Sequence, residues 1–302
     1  MCNGSIMDKL VSFALPLMLS GILQLMFNAV DIIVVGRFSG SEALAAVGST
    51  TALINVFTNL FIGISLGANV LAARFFAAGR KEEMSETVHT SITLALISGI
   101  LMAFVGLVFS KGALELMGTP EDVIGLSTLY MRIYFMGMPF FMLYNYGAAI
   151  LRAVGDTKRP LYFLIIAGVI NAGLNMVLVI VFGLGVAGVG IATVFSQMVS
   201  CVLVLTCLCR TEGSYKLSFS KLSMKGYYLK QIFQVGIPAG IQSTVINFSN
   251  ALLQSSVNSF GSTAMAGYTA ANNILGFLYV SINSVTQACM SFTSQNFGVG
   301  KY

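Results

Sequence analysis

The chain has 302 residues, of which 56% are hydrophobic and 9% charged, against roughly 25% charged in ordinary soluble domains. Eleven acidic and sixteen basic side chains cannot coat a water-soluble fold of this size. No Lys/Arg-rich tract of the nucleic-acid-binding kind is present, so the apolar excess belongs in a bilayer. The cysteines Cys2, Cys201, Cys207, Cys209 and Cys289 lack metal-ligand spacing, and the chain has a single histidine. Both facts argue against a disulfide scaffold or a zinc site.

Taken in chain order, eight apolar runs are each long enough to cross the roughly 30 Å hydrocarbon layer as a helix. They are about 10–35, 43–73, 87–109, 123–151, 161–183, 186–209, 229–258 and 264–292. The first is too long for a signal-peptide core and lacks a small-residue cleavage site, so it reads as a retained helix. Only Gly183, Leu184 and Gly185 separate the fifth run from the sixth. The predicted class is an all-α polytopic membrane protein. Its organisation is a six-helix N-terminal bundle over 1–210, a linker over 211–228, and the first two helices of a second bundle over 229–302.

Basic residues orient the array, because Lys and Arg near helix ends stay on the cytoplasmic side. With the N-terminus inside, only Arg37 and Lys111 of the sixteen basic residues fall outside, and Arg132 lies within the fourth run. Arg132 is expected to reach the outer interface or a carbonyl cluster. His89, at the inner start of the third run, is expected to be interfacial.

An internal repeat is visible. Ala43-Leu44-Ala45-Ala46 after Gly40 is echoed by Ala264-Met265-Ala266-Gly267 after Gly261, and Ala78-Gly79-Arg80 by Val299-Gly300-Lys301. Leu15-Pro16 is answered by Ile237-Pro238 with one residue of slippage. Six crossings separate the copies, so the second enters the membrane in the same sense as the first, a parallel repeat common among secondary transporters. Two full copies at this offset would need about 440 residues, so the sequence reads as the first part of a longer one.

Polar residues inside the runs are the candidate functional groups. Asp31 is the one acid deep in a run, where an ionised carboxylate costs about 2.5–3.5 kcal/mol and must face a cavity or a partner. Gln24, Asn28 and Asp31 share one helix face at i, i+4, i+7. Asp31 either binds a proton or cation, or is a helix-end acid that snorkels or pairs with Arg37. Asn171 and Asn175 are spaced i, i+4 on the fifth run, and Thr193, Ser196, Gln197 and Ser200 lie on the sixth. Taken singly such groups are packing glue, and beside an acid they form a site. Ser243, Asn247, Asn250, Gln254 and Asn258 make a polar stripe on the seventh run, fitting a pore lining or an inter-helix seam equally well. Gly63 and Gly67, and again Gly236 and Gly240, match the close-packing pattern of membrane helices.

These residues resemble the multidrug and toxic compound extrusion (MATE) transporters over essentially the whole chain. The resemblance rests on Leu15-Pro16 running through Asn28-Ala29-Val30-Asp31 to Gly36-Arg37 and Ala43 to Gly48. It continues in Leu151-Arg152-Ala153-Val154-Gly155-Asp156-Thr157-Lys158-Arg159-Pro160, and from Asn171 to Gln197 with its glycine-rich turn. It implies two six-helix lobes that export cationic or amphipathic compounds against inward proton or sodium flow. By the same resemblance Asp31, Asn171, Asn175 and Thr193 form the ion-coupling site. Gln24, Asn28 and Asn145, with Asn247, Asn250 and Gln254 of the polar stripe, line the substrate cavity. Two departures stand out: some members carry an acid where this chain has Asn175, and some a glutamate near Ile246 and Asn247.

The expectation is therefore an ion-coupled exporter in a prokaryotic cell membrane, acting as a monomer. It would bind lipid and a small amphipathic or cationic substrate, and need no cofactor beyond the transported proton or sodium ion and no nucleic acid. A flippase for lipid-linked sugars or phospholipids is the alternative within transport, though such proteins line their cleft with several basic residues. A non-transporting membrane scaffold is the second alternative. An enzyme would need a nucleophile, base or metal constellation that the sequence does not carry.

Overall fold

The computed structural model describes residues 5–258 and 262–300, without the side chains of Ala52, Asn247, Phe248 and most positions from 251 to 274. Among the described residues it is helical throughout, with no strand. The helices are α1 (Ile6–Phe38), α2 (Gly40–Ala77), α3 (Lys81–Leu116), α4 (Glu121–Met136), α5 (Met138–Ala153), α6 (Lys158–Asn175), α7 (Gly185–Arg210), α8 (Gly226–Asn258) and α9 (Ser262–Gly298). A π-helical segment, Met176–Val181, continues α6. Five are long and apolar enough to cross a membrane: α1, α2, α3, α6 with its π-helical continuation, and α7. With 33, 38 and 36 residues, α1 to α3 far exceed the about 20 residues a crossing needs, so they tilt or project beyond the lipid.

The fourth run is not one helix. It divides at Gly137 into α4 and α5, because Pro139 in the first turn of α5 has no N–H to give the preceding turn. Both halves pack on the same neighbours, α2, α3 and α7, so they form one broken rod. The break fits against α3, where a Cβ on Gly99 would lie 2.5 Å from the Pro139 Cα.

The sequence echo has a structural counterpart. Gly79 and Gly300 both adopt φ of +70°, a left-handed conformation that glycine takes without a Cβ clash. At the first, Ala78 N–H bonds to Arg74 O and Gly79 N–H to Phe76 O; at the second, Val299 N–H bonds to Gln295 O and Gly300 N–H to Phe297 O. The ends of α2 and α9 thus share these two cap bonds.

A single large core joins α1 to α7 and takes in Ile232 of α8, and the described contacts of α8 and α9 with α1 and α2 run from the helix middles to one end. That end carries Arg74, Arg152, Arg159 and Arg210 and is called the basic end below. Gly63 and Gly67 of α2 cross Gly236 and Gly240 of α8 at backbone contact: a Cβ on Gly63 would meet the Gly240 Cα at 2.3 Å, and one on Gly236 the Ile64 Cα at 2.5 Å. The two small-residue motifs are therefore each other's partners. On the other side α1 packs on α9 through Phe13, Leu17 and Ala288, with Val280 against Gly21.

Residues 211–225 are laid onto α2 and α3 rather than left as a free tether. Leu217 is buried, Tyr215 stacks edge-on to Phe76 and Tyr228 to Phe75, and Lys225 Nζ lies 2.8 Å from Glu86 Oε1. That bond raises the Lys225 pKa above the ordinary lysine range. His89, near the start of its run, is buried within the fold. Its Nδ1 lies 2.7 Å from Ser85 O and its Nε2 accepts Ser218 N–H at 3.2 Å. This fixes the neutral Nδ1–H form and ties the connection to α3.

Candidate functional site

The site is built where α1, α6 and α7 meet. Phe27 of α1 fills the space a side chain at Gly168 of α6 would need, and one turn further on that contact carries Asp31 onto Asn175. The Leu178 side chain of the π-helical segment packs against Gly188, which holds α7 close and brings Thr193 to the carboxylate's other side. Asp31 is 8% exposed, and Asn171 and Asn175 are 5% and 0% exposed.

The bonds are specific. Asn175 Nδ2 donates to Asp31 Oδ1 and also to Asn171 Oδ1 at 3.2 Å, so both amide hydrogens are committed. The Asn175 Oδ1 is buried and has no hydrogen-bond partner among the described residues. Thr193 Oγ1 lies 3.5 Å from Asp31 Oδ2 but 2.9 Å from Val189 O. Its one hydrogen goes mainly to the main chain, leaving oxygen lone pairs toward the acid. The Asp31 carboxylate, the Asn171 carboxamide oxygen and the Thr193 hydroxyl thus gather around the Asn175 amide, a hard, oxygen-rich set with one acid. Asn175 is also the last α-helical residue before the π-helical segment, a geometry frequent at functional sites.

The sequence profile of the MatE family matches residues 16–177 and 238–302. This chain belongs to the MatE family. It is 33% identical over 307 residues to "Probable multidrug resistance protein YoeA" of Bacillus subtilis (strain 168), covering 99% of the chain and 66% of that relative. It is 24% identical to an FAD transporter of Shewanella oneidensis, covering 97% of the chain and 65% of that protein. The fold superposes on a multidrug resistance MATE family transporter of the MOP superfamily, solved in an outward-facing conformation, with TM-score 0.91 and 25% identity over 99% of the chain and 66% of that structure. The chain spans slightly less than two thirds of the length of these relatives. As a MatE-family chain it is an integral membrane protein of a transporter family.

Within this MatE-family fold the four residues expected to couple ions are brought together, and Asp31 does not pair with the exposed Arg37. Of the six expected to line the cavity, the four whose side chains are described are not joined to them. Gln24 and Asn28 are exposed on α1, and Asn250 is exposed on α8. Asn145 is half-buried and turned back onto its own helix, donating to Phe141 O at 2.8 Å. The side chains of Asn247 and Gln254 lie outside the described residues. Arg132 is exposed.

The sequence reading missed Tyr130 and Tyr134 of α4, whose rings lie 6.2 Å apart, with Tyr130 bordering Gly190 of α7, three residues before Thr193. Their i, i+4 spacing was the available signal. A cavity of about 470 Å³, lined by Arg159, Cys207, Arg210 and Tyr215, lies at the basic end, far along α6 and α7 from this site.

Proposed function

We propose that the protein is an ion-coupled antiporter that exports cationic or amphipathic small molecules by alternating access between two bundles, 1–210 and the one begun by 229–302. The observation that carries this reading is the Asp31 network: one buried acid tied to two other helices, with an unpartnered carboxamide oxygen beside it. A sodium ion would take that oxygen together with the Asp31 carboxylate and the Asn171 and Thr193 oxygens. A proton on Asp31 would turn an acceptor into a donor, and the same Asn175 oxygen would receive it once the amide turns over.

Either ion cancels the charge on Asp31. A hydrogen bond to a charged group contributes about 1.5–3 kcal/mol against about 1 for a neutral one, so a proton on Asp31 loosens the tie between α1 and α6, whereas a sodium ion would replace that tie by a bridge through the ion. The other half of α1 lies on α9, so loosening at Asp31 passes mechanically to the second bundle. The contacts between bundles named above run from the helix middles, at Gly63–Gly240 and Gly21–Val280, toward the basic end, at Gly67–Gly236 and Leu17–Ala288. Such a closure at one end supports an outward-open state with the basic end cytoplasmic. Gln24, Asn28, Asn145, Asn247, Asn250 and Gln254 would then face the open cleft between the bundles and meet substrate there.

The test is transport by the protein reconstituted in liposomes, with a fluorescent cationic dye as substrate and a proton or sodium gradient imposed. Dye movement against its own gradient, collapsed by the matching ionophore, is the expected result. Movement that neither gradient drives would overturn the reading.

A further inference from the structure

We propose that Asn69, Ser291 and Gln295 form an uncharged latch that holds the basic ends of the two bundles together, and that its release opens the cleft on that side. The proposal rests on the transport reading above.

Asn69 of α2 works in both directions. Its Nδ2 donates to Ala149 O of α5 at 2.8 Å, and its Oδ1 accepts the Ser291 hydroxyl of α9 at 2.9 Å. The orientation of this amide is unambiguous, because the Ala149 carbonyl can only accept. One turn along each helix, Gln295 Nε2 of α9 donates to Ala153 O at 2.6 Å. Ala153 ends α5, and the last carbonyls of a helix have no partner within it, so a residue of the second bundle caps a helix of the first. Asn69, Ser291 and Gln295 are each at most 4% exposed, and both alanines are fully buried.

The surroundings hold these groups in register. A Cβ on Gly298 would lie 2.4 Å from Arg74 O, and the Arg74 guanidinium sits 5.2 Å from the centre of the Phe297 ring. Asn69 and Ser291 are 222 residues apart, the offset of the internal repeat to within one residue. Residues related by a two-fold repeat can touch only close to its axis, so the latch lies where the two bundles separate symmetrically. No ionised group makes any of the bonds, and water entering an opened cleft can replace each of them. The Gly63/Gly240 crossing, which has no polar partner to exchange, stays in contact as the pivot.

The experiment places nitroxide labels at the exposed positions Lys158 and Val299, one in each bundle at the basic end, after replacing the native cysteines, and reads the distance distribution by pulsed electron resonance. Removing one neutral hydrogen bond changes an equilibrium about fivefold. Asn69→Leu and Gln295→Leu are expected to raise the long-distance population by at least that factor, Ser291→Ala by about fivefold, and Ser291→Thr to restore the wild-type distribution. Ser291→Ala removes a single oxygen, so it decides the matter if the larger substitutions fail to fold. A folded Ser291→Ala or Gln295→Leu protein with the wild-type distribution would overturn the latch. Ion-driven dye flux measured on the same samples separates the two ideas. A distribution that shifts in a protein without flux keeps the latch and removes the transport reading, and flux with unshifted distances does the reverse.

Discussion

Replacing Gly63 with alanine tests the crossing of α2 and α8. The added Cβ would stand 2.3 Å from the Gly240 Cα and 2.4 Å from its nitrogen, and neither atom can rotate away. Ordinary contact begins near 3.4 Å, so the two helices must part by about 1 Å, a gap at which the dispersion wells of neighbouring atoms lose a quarter to a half of their depth. Gly67 against Ile232 O and Gly240 against Leu60 O, at 2.2 and 2.6 Å for the same hypothetical Cβ, open with it. Overpacking of this kind costs about 1–3 kcal/mol. Gly48→Ala is the control, since it lies in the same helix with nothing within 4 Å of its Cβ position. Both substitutions gain the same helix propensity, so the difference between them isolates the crossing. In thermal unfolding of the purified protein, Gly63→Ala is expected to melt roughly 2–8 °C below Gly48→Ala. Equal melting of the two variants would show that the helices do not meet at these glycines.

Asp31→Asn keeps an acceptor for Asn175 and offers an N–H to the Thr193 oxygen, so membrane insertion should match the wild type, stability should fall by no more than the difference between a charged and a neutral hydrogen bond, about 1–2 kcal/mol, and gradient-driven export should be lost. Wild-type export from about pH 6 to about pH 8 and in varied sodium would make Asp31 a structural acid. Asn175→Ala should weaken export less than Asp31→Asn, read as dye efflux at fixed gradient. Single cysteines between Lys216 and Lys225 are expected to resist membrane-impermeant thiol reagents in intact cells, and ready labelling would reverse the orientation. His89→Phe leaves Ser218 N–H without its acceptor, so limited proteolysis should cut within 211–225 several-fold faster, whereas His89→Gln, which restores an acceptor, should be cut near the wild-type rate.

Hydropathy made the all-helical membrane class legible, and the resemblance carried by Asp31 and Asn171 to Thr193 pointed to the family. Spacing alone put Asn171 and Asn175 on one helix face. It could not say that this face meets Asp31, 144 residues away from Asn175, because that depends on Phe27 lying in the space left by Gly168. The glycine motifs were legible as motifs, yet their choice of each other is a property of packing. The break at Gly137 was hidden because the run stays apolar through Pro139. The role of His89 was hidden for a different reason: its partners are main-chain groups of Ser85 and Ser218, and a backbone N–H or carbonyl leaves no mark in a sequence. Tyr130 and Tyr134 passed as ordinary aromatic core, the commoner role of such residues in an apolar run.

The π-helical segment after Asn175 has a consequence for the length of the chain. Ala167, Asn171, Asn175 and Val179 are all buried at strict four-residue steps. In a uniform α-helix at 100° per residue such a row slides about 40° around the barrel with each step. The wider π turn, about 4.4 residues per turn, rotates the row back the other way, so Val179 returns to the line that Asn171 and Asn175 follow. One residue of surplus is therefore stored between the Asp31 site and the tight turn at Gly183. Deleting a single residue from Met176–Val181 would return the segment to α-helix with both of its ends still anchored. This short stretch is where the protein can lose a residue and keep its fold, with the binding groups still facing the same way relative to that turn.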